Sequence, residues 1–218
     1  YADWDKPKSF DRNLVVIGGG AAGLVSAYIG AVTRAKVTLI EKHKMGGDCL
    51  NYGCVPSKAV LRSAKLLSHM ARSQEFGIRK AEAEVDFAEI MDRVQQVIAD
   101  IEPHDSPERY ESMGVEVIEG TANITSPWTV EVNGKTLSTR AIIIAAGAEP
   151  LVPPIPGLDD VDYLTSDTVW NLRELPERLV VLGGGPIGSE LSQAFARLGA
   201  KVTQVEMADR IMGKEDPD

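Results

Sequence analysis

The chain has 218 residues, of which 44% are hydrophobic and 25% are charged, and its formal net charge is −9. This length and composition predict a globular protein with one full domain and part of another. The acidic balance, without any block of Lys or Arg, argues against a nucleic-acid partner, because such binding needs a basic surface. The polar N-terminus and the lack of an apolar run of about 18 residues predict neither a signal peptide nor a membrane segment.

An internal repeat organises the chain, because residues 14–41 and 179–206 align without a gap. LVVIGGGAAG in the first copy matches LVVLGGGPIG in the second, and AKVTLIE matches AKVTQVE. Each copy has the pattern of an apolar strand, a glycine turn, a helix and a second apolar strand. That pattern is half of a nucleotide-binding unit with parallel, buried strands. The repeat therefore predicts two nucleotide sites on an α/β fold.

The first copy contains Gly18-x-Gly20-x-x-Gly23 and then Glu41 at the end of its second strand. In such a motif the first glycine allows a tight turn, the second lets backbone N–H groups approach a pyrophosphate, and the third lets helix and strand pack closely. The glutamate would hold a ribose hydroxyl. A single motif is also compatible with a structural corner, and a lone glutamate with a solvated strand end. Repetition of the whole pattern favours nucleotide binding.

The second copy carries the same residue types at the same spacing, namely Gly183, Gly185, Gly188 and Glu206. A carboxylate at Glu206 would repel a 2′-phosphate, so this site is predicted to prefer NAD(H) to NADP(H). Few residues follow Glu206, which predicts that the chain is a fragment of a larger polypeptide.

Between the two copies, the pattern predicts two helices and then strands. One helix carries Val60, Ala64, Leu67 and Ala71 at helical spacing and ends near residues 76–77. A second helix begins near Asp86, where Asp86 and Glu89 resemble a capping box, and runs through Ile90, Val94, Val97 and Ile101 to Pro103.

From Gly114 onward, VEVIEG, WTVEV, the Asn133-Gly134 turn signal and KTLSTR predict an antiparallel layer inserted on the first sheet. Residues 141–145 are predicted to be a buried strand that returns to that sheet. The proline-rich stretch AEPLVPPIPG then predicts a crossover, with a domain boundary near Leu151.

The two cysteines of the chain, Cys49 and Cys54, lie in the stretch GGDCLNYGCVPSK. Two cysteines are too few for a disulfide scaffold, which favours a reducing, cytoplasmic compartment. A zinc site would need two further ligands, and His43, His69 and His104 lack the usual spacing. Two unrelated buried thiols are the simplest alternative.

A redox-active pair is the third interpretation of these cysteines. Pro56 suits the first turn of a helix, which would place Cys54 at a helix N-terminus where the dipole stabilises a thiolate, and Lys58 adds a positive charge. Gly46, Gly47 and Gly53 would let the backbone approach a flat cofactor.

With a dinucleotide motif on each side, this stretch resembles the pyridine nucleotide-disulfide oxidoreductases, and within them the mercuric reductase-like and dihydrolipoamide dehydrogenase-like flavoproteins. The resemblance implies a Rossmann-like FAD-binding domain at residues 10–150 and the start of an NAD-binding domain at 151–218. It also implies that Cys54 faces the flavin, that Cys49 meets the substrate, and that Lys58 pairs with Glu190 near the flavin. These four residues are the predicted catalytic set.

The cofactor-binding residues implied by the resemblance come from both motifs and from the thiol loop. For FAD they are Gly18, Gly20, Ala22, Gly23, Glu41, Gly47, Lys58 and Gly147, and for NAD(H) they are Gly183, Gly185, Gly188 and Glu206. No metal ligand set is predicted.

The sequence departs from the family pattern at three positions. Ala146 replaces a threonine, Pro186 replaces a tyrosine that gates the nicotinamide pocket, and Asp48 replaces the threonine before the first cysteine. The family's interface domain, with a His-Glu pair that serves the thiols of the partner subunit, has no counterpart up to Asp218.

The predicted function is therefore that of an FAD- and NAD(H)-dependent disulfide reductase, homodimeric as the full-length parent, which acts on a small thiol, a disulfide or a soft metal ion. The alternatives are an FAD-binding fragment without turnover and a flavin-linked redox sensor.

Overall fold

A computed structural model describes residues 4–216 of the chain. Contacts divide the chain into two compact units, each built from two stretches. Unit 1 comprises the residues up to Asn51 together with Ala99–Val152, and unit 2 comprises Tyr52–Ile98 together with the residues from Pro153 onward. The assignment of residues 10–150 and 151–218 to two cofactor domains stays a prediction.

Unit 1 is built on one six-stranded sheet with helices. The strands are β1 (Arg12–Ile17), β2 (Val37–Glu41), β3 (Val115–Glu119), β4 (Asn123–Ser126), β5 (Thr129–Val132) and β6 (Lys135–Ile144). The helices are α1 (Ala21–Val32), α2 (Gly47–Asn51) and α5 (Pro107–Ser112). The strand order is β3-β2-β1-β6-β5-β4, in which β3, β2, β1 and the end of β6 run parallel, whereas β6, β5 and β4 pair antiparallel.

The predicted antiparallel layer is present but differs in its members. VEVIEG forms β3, which pairs in parallel with β2, so its assignment to that layer was wrong. An edge strand is solvated on one side and alternates in polarity even in a parallel sheet, so its pattern imitates an antiparallel strand. The Asn133-Gly134 turn joins β5 to β6 as predicted, and β4 had not been predicted.

Strand β6 joins two segments that had been predicted separately. Its first half pairs with β5, and its second half, from Ala141, pairs in parallel with β1. The predicted strand at 141–145 is present up to Ile144 and returns to the first sheet, but the prediction that it is buried was wrong, since Ile144 is 69% exposed. These residues lie at the carboxyl end of the sheet, where the strands give way to loops.

The core of unit 1 lies on both faces of the sheet. Val16 of β1 packs in a cluster with Leu24 of α1, and its neighbour Val15 packs in a second cluster with Val130 of β5. Both valines are fully buried, because successive side chains of a strand point to opposite faces. A central strand covered on both faces explains the continuous apolar run of LVVI.

Unit 2 contains α3 (Cys54–Ala71), most of α4 (Phe87–Ile101), α6 (Pro186–Leu198), β7 (Arg178–Leu182) and β8 (Lys201–Val205). The first predicted helix is α3 followed by a 3-10 turn, Ser73–Phe76, and Gly77 ends that turn with φ 77°. The second is α4, and the N–H of Glu89 donates to the Asp86 carboxylate as in a capping box. One core cluster joins the three helices through Val60, Val94 and Phe195.

Strands β7 and β8 pair in parallel as the repeat predicted, but the prediction that they are buried was wrong. Exposed and partly buried residues alternate along both strands, and Val180 is 63% exposed. Helix α6 packs on this two-stranded sheet, which gives the strands one covered face. No helix within residues 4–216 is both long and apolar enough to cross a membrane.

Candidate nucleotide and thiol sites

The first glycine turn lies between β1 and α1, as predicted. Gly18 has φ 106°, and a Cβ there would lie 2.1 Å from the Ala145 carbonyl oxygen. The N–H of Ala145 donates to the Ile17 carbonyl at 2.7 Å, so the end of β6 lies against the turn. The structure therefore brings the end of β6, which leads to the predicted FAD-binding residue Gly147, to the first glycine motif.

The third glycine of each motif is required by packing. A Cβ on Gly23 would lie 1.7 Å from the Gly18 carbonyl oxygen, and a Cβ on Gly188 would lie 2.4 Å from the Gly183 carbonyl oxygen. Real Cβ atoms essentially never come that close to another heavy atom. This confirms that the third glycine lets the helix pack against the turn.

The second glycine of each motif is not required by the protein's own packing. Gly20 (φ −80°, ψ −175°) and Gly185 (φ −77°, ψ −177°) have ordinary extended backbones. A Cβ on Gly20 would meet only ordinary contact, with the Gly47 Cα at 3.7 Å, and a Cβ on Gly185 would meet nothing within 4 Å in the described part of the chain. Each Cβ would instead fill space at the start of a helix, where N–H groups attract a phosphate. The residues thus fit a pyrophosphate at both turns.

Both glutamates fold back on the glycine turn of their own copy. One carboxylate oxygen of Glu41 accepts from the N–H of Gly19 at 2.5 Å, and the other from His43 at 2.7 Å. In the second copy Glu206 accepts from Gly184 at 2.6 Å and from Ala208 at 2.8 Å. Each carboxylate is therefore fixed at the strand end, with remaining lone pairs for a ribose hydroxyl.

Hydrogen bonds from the backbone N–H groups of Ala208 and Gly184 hold the pKa of the Glu206 carboxyl below its ordinary value. Hydrogen bonds to the charged form stabilise that form. Glu206 therefore stays ionised through the neutral and mildly acidic range.

The glycines at 19 and 184 were not singled out as functional from the sequence. A Cβ on Gly19 would lie 2.8 Å from the Met45 sulfur, and a Cβ on Gly184 would lie 2.9 Å from the Glu206 carboxylate. The sequence feature that could have indicated these two positions is the run of three glycines in each copy.

A cleft of about 520 Å³ opens beside Glu41 in unit 1. Its lining includes Lys44, Met45, Pro103, Ser106 and Val117. Four glutamates also line the cleft, namely Glu41, Glu102, Glu108 and Glu119. Its walls are therefore of mixed polarity, and its volume is sufficient for an adenosine group.

The thiol loop is fastened to the first glycine turn through backbone atoms. The N–H of Gly46 donates to the Gly19 carbonyl at 2.9 Å. Gly47 has φ 54°, and a Cβ there would lie 2.5 Å from the Gly20 Cα. The side chain of Asn51 donates to the carbonyls of Met45 and Gly47, which holds α2 and its Cys49 on this support. The glycine pair thus allows two backbones to touch.

The two cysteines lie in different elements. Cys49 is partly exposed on α2 in unit 1, and Cys54 is exposed as the first residue of α3 in unit 2. The N-terminal position expected for Cys54 is therefore present. No group of three or more His, Cys, Asp or Glu residues in residues 4–216 could hold a metal ion.

Lys58 and Glu190 form an ion pair at 2.6 Å between α3 and α6 within unit 2. Lys58 lies one turn after Cys54, and Glu190 follows the second glycine motif. Their side chains are 61% and 44% exposed, so the pair adds little to folding stability. The predicted pairing of the two side chains is therefore present, and their cofactor role stays a prediction.

The structure also gives the positions of the three residues that depart from the family pattern. Pro186 is the first residue of α6, a position that tolerates proline because its N–H has no partner within the helix. Asp48 is exposed, and its carboxylate lies 4.0 Å from the Cβ position of Gly147. Ala146 is exposed in the loop after β6.

Two glycine-turn βαβ units, one of them fastened to a loop that carries a cysteine, are the arrangement of a dinucleotide-binding protein. Residues 12–218 match the family model for pyridine nucleotide-disulphide oxidoreductase. The chain belongs to this family, which uses FAD and NAD(P)H.

Curated relatives include a mercuric reductase and a dihydrolipoyl dehydrogenase. The chain is 36% identical to the mercuric reductase of Bacillus cereus over 96% of its own length and 33% of that protein. It is 37% identical to the dihydrolipoyl dehydrogenase of Acholeplasma laidlawii over 96% of its own length and 64% of that protein. The chain therefore spans between about a third and two thirds of these relatives.

A solved structure shares the fold. The HOCl-induced flavoprotein disulfide reductase RclA from Escherichia coli is 32% identical, with a TM-score of 0.79, over 94% of this chain and 44% of that one. This likeness confirms the predicted Rossmann-like α/β class and the resemblance to flavoprotein disulfide reductases.

Proposed function

We propose that this chain provides the FAD site, the redox thiols and part of the NAD(H) site of a disulfide reductase. The observation that carries the proposal is the contact of Gly46 and Gly47 with Gly19 and Gly20. This contact brings the loop that leads to Cys49 against the first glycine turn, which supports a pyrophosphate site beside that loop. FAD, when bound, would supply the two-electron link between NADH and a disulfide.

The chemistry proposed for the cysteines is thiol–disulfide exchange. Reduction of a Cys49–Cys54 disulfide takes up two electrons and two protons and gives two thiols. The Cys49 thiolate attacks a sulfur of the substrate disulfide, which forms a mixed disulfide and releases one substrate thiol. The Cys54 thiolate then attacks the Cys49 sulfur, restores the protein disulfide and releases the second thiol.

The elements that bear these residues suit the separate roles. Cys54 is the first residue of α3, where the positive end of the helix dipole favours a thiolate. The positive charge of the Lys58 ammonium, one turn later, favours the thiolate as well. Cys49, in the short helix α2, is proposed to meet the substrate. The substrate class extends to a small disulfide, a dithiol or a soft metal ion such as Hg(II). A homodimer of the longer polypeptide and a cytoplasmic location are part of the same proposal.

The test of the thiol roles is the visible spectrum of the purified chain with FAD. We expect bound flavin and, after mild reduction, long-wavelength absorbance that depends on the Cys54 thiolate. Cys54→Ser should abolish this band, while the matched variant Cys49→Ser should show it without reduction, because Cys54 then has no partner. A band that survives in Cys54→Ser would contradict the assignment, and failure to bind FAD would contradict the cofactor site.

The second site is proposed to select NADH through Glu206. Because the pKa of its carboxyl is lowered, it stays charged from pH 8 to pH 5, and repulsion of a 2′-phosphate should persist over that range. We expect NADH to bind on the order of tenfold more tightly than NADPH at both pH values. Glu206→Gln should reduce this preference.

The equivalent change in the first copy, Glu41→Gln, is the control and should leave the preference unchanged. Titration calorimetry with both nucleotides measures the ratio. A preference that disappears already at pH 5 in the wild-type chain would be inconsistent with Glu206 as its source.

A further inference from the structure

The peptide between Gly183 and Gly184, in the second glycine turn, is held at both of its polar atoms. The Gly184 N–H donates to the Glu206 carboxylate at 2.6 Å, and the Gly183 carbonyl accepts from the Gln204 side-chain amide at 3.0 Å. Gln204 is in β8 and Glu206 directly follows that strand, so the two side chains point to the same side of the sheet. Two side chains from one strand therefore fix the orientation of this peptide.

The Gln204 amide also contacts the start of α6. Its Nε2 donates to the Ser189 hydroxyl at 3.2 Å, and that hydroxyl donates to the Gly184 carbonyl at 3.4 Å. A Cβ on Gly188 would lie 3.4 Å from the same nitrogen. Because a carbonyl oxygen can only accept, the nitrogen of the amide and not its oxygen must face Gly183. Gln204 thus lies between the glycine turn and the first turn of the helix.

The first copy holds its glycine turn in a different way. The residues equivalent to Ser189 and Gln204 there are Leu24 and Leu39, which are buried and pack in an apolar core cluster. Neither leucine side chain can donate to a carbonyl. The end of β6 lies against the first turn instead, whereas a Cβ on Gly183 would meet nothing within 4 Å in the described part of the chain. Gln204 therefore binds the turn that lacks this backbone neighbour within residues 4–216.

A restraint on this turn matters to a phosphate ligand. Glycine has many accessible backbone conformations, so a run of three glycines loses much entropy when it is ordered. A site that is already ordered binds its ligand more tightly, because less of that entropy is lost on binding. Hydrogen bonds at both polar atoms of the Gly183–Gly184 peptide order the turn before a nucleotide arrives.

We propose that Gln204 is a positioning residue for the second nucleotide site. Its amide holds the Gly183 carbonyl and so keeps the turn in the conformation that leaves the N-terminus of α6 open to a pyrophosphate. This inference rests on the proposed NAD(H) site and adds a residue that acts on that site through the backbone.

The test compares the FAD-loaded wild-type chain with Gln204→Met, which has nearly the shape of glutamine but no donor. Loss of the hydrogen bond is expected to weaken NADH binding about threefold to tenfold, measured by titration calorimetry. ADP should weaken by a similar factor, because it contains the pyrophosphate. Adenosine lacks the pyrophosphate and should bind as it does to wild type, whereas general destabilisation of unit 2 would weaken all three ligands alike.

Gln193→Met is the matched control. Gln193 is exposed on α6, so the same chemical change there should leave the affinities for NADH, ADP and adenosine at their wild-type values. Gln204→Leu, which carries the residue of the first copy, is a second test variant and should behave like Gln204→Met.

A second measurement needs no nucleotide. Hydrogen exchange of the Gly184 N–H, followed by NMR, should be about threefold to tenfold faster in Gln204→Met than in Gln193→Met, because the peptide that carries this N–H then lacks one of its two restraints.

Three results would overturn the inference. The first is a Gln204→Met chain that binds NADH and ADP as tightly as a wild-type chain that binds both. The second is an equal loss of affinity for adenosine, and the third is a Gly184 exchange rate that is the same in the two variants. A wild-type chain that binds FAD but neither NADH nor ADP would contradict the proposed NAD(H) site itself, and this inference with it.

Discussion

Replacing Gly23 with alanine is expected to prevent unit 1 from folding, whereas replacing Gly20 with alanine is expected to leave the fold intact and weaken FAD binding. The Cβ of Gly23→Ala would lie 1.7 Å from a backbone oxygen, which cannot move without disrupting β1. We expect the free energy of unfolding of the Gly23→Ala chain to fall by at least about 3 kcal/mol. Gly20→Ala meets no clash within residues 4–216 and should cost about 1 kcal/mol as a poorer helix cap.

The same Gly20→Ala change should weaken FAD binding by about 10- to 100-fold, because its methyl group occupies the space proposed for the pyrophosphate. Circular dichroism on heating measures the first effect, and fluorescence titration with FAD measures the second. Gly185→Ala offers the parallel comparison in the second copy. A Gly20→Ala chain that binds FAD like wild type would show that the pyrophosphate lies elsewhere.

Gly47→Ala should detach the thiol loop from the first glycine turn. Its Cβ would lie 2.5 Å from the Gly20 Cα and 3.3 Å from the Gly20 nitrogen, in a backbone with φ 54°. We expect loss of FAD binding together with faster alkylation of Cys49, because α2 loses its support.

Gly114→Ala is the matched control, since Gly114 also has positive φ (88°) but its Cβ would meet nothing within 4 Å in the described chain. It should cost about 1 kcal/mol from backbone strain alone and leave FAD binding unchanged. FAD titration and Cys49 alkylation of the two variants separate the steric effect from the strain. Equal behaviour of the two variants would refute the docking argument.

The sequence predicted the features that depend on local pattern. The repeat predicted both βαβ units, because a glycine turn between apolar strands specifies that connection whatever surrounds it. Gly23 and Gly188 fall where the motif requires close packing. Asp86 caps α4, as its spacing from Glu89 indicated.

Features that depend on distant partners were harder to predict. The place of β3 beside β2 follows from tertiary pairing, which polarity along a short strand does not reveal. The hydrogen bond between the Trp170 indole N–H and the Tyr52 carbonyl joins residues 118 positions apart. The pairing of Lys58 with Glu190, 132 positions apart, was expected only from family resemblance.

The contact between Gly20 and Gly47 also bears on how this protein could be re-engineered. Backbone meets backbone there, so the junction between the thiol loop and the proposed pyrophosphate site has no side chain that substitution could change. The first side chain that substitution could change is one residue later, at Asp48, whose carboxylate is exposed beside Gly147. A library intended to shift the redox behaviour of this protein should therefore keep the glycines fixed and vary position 48.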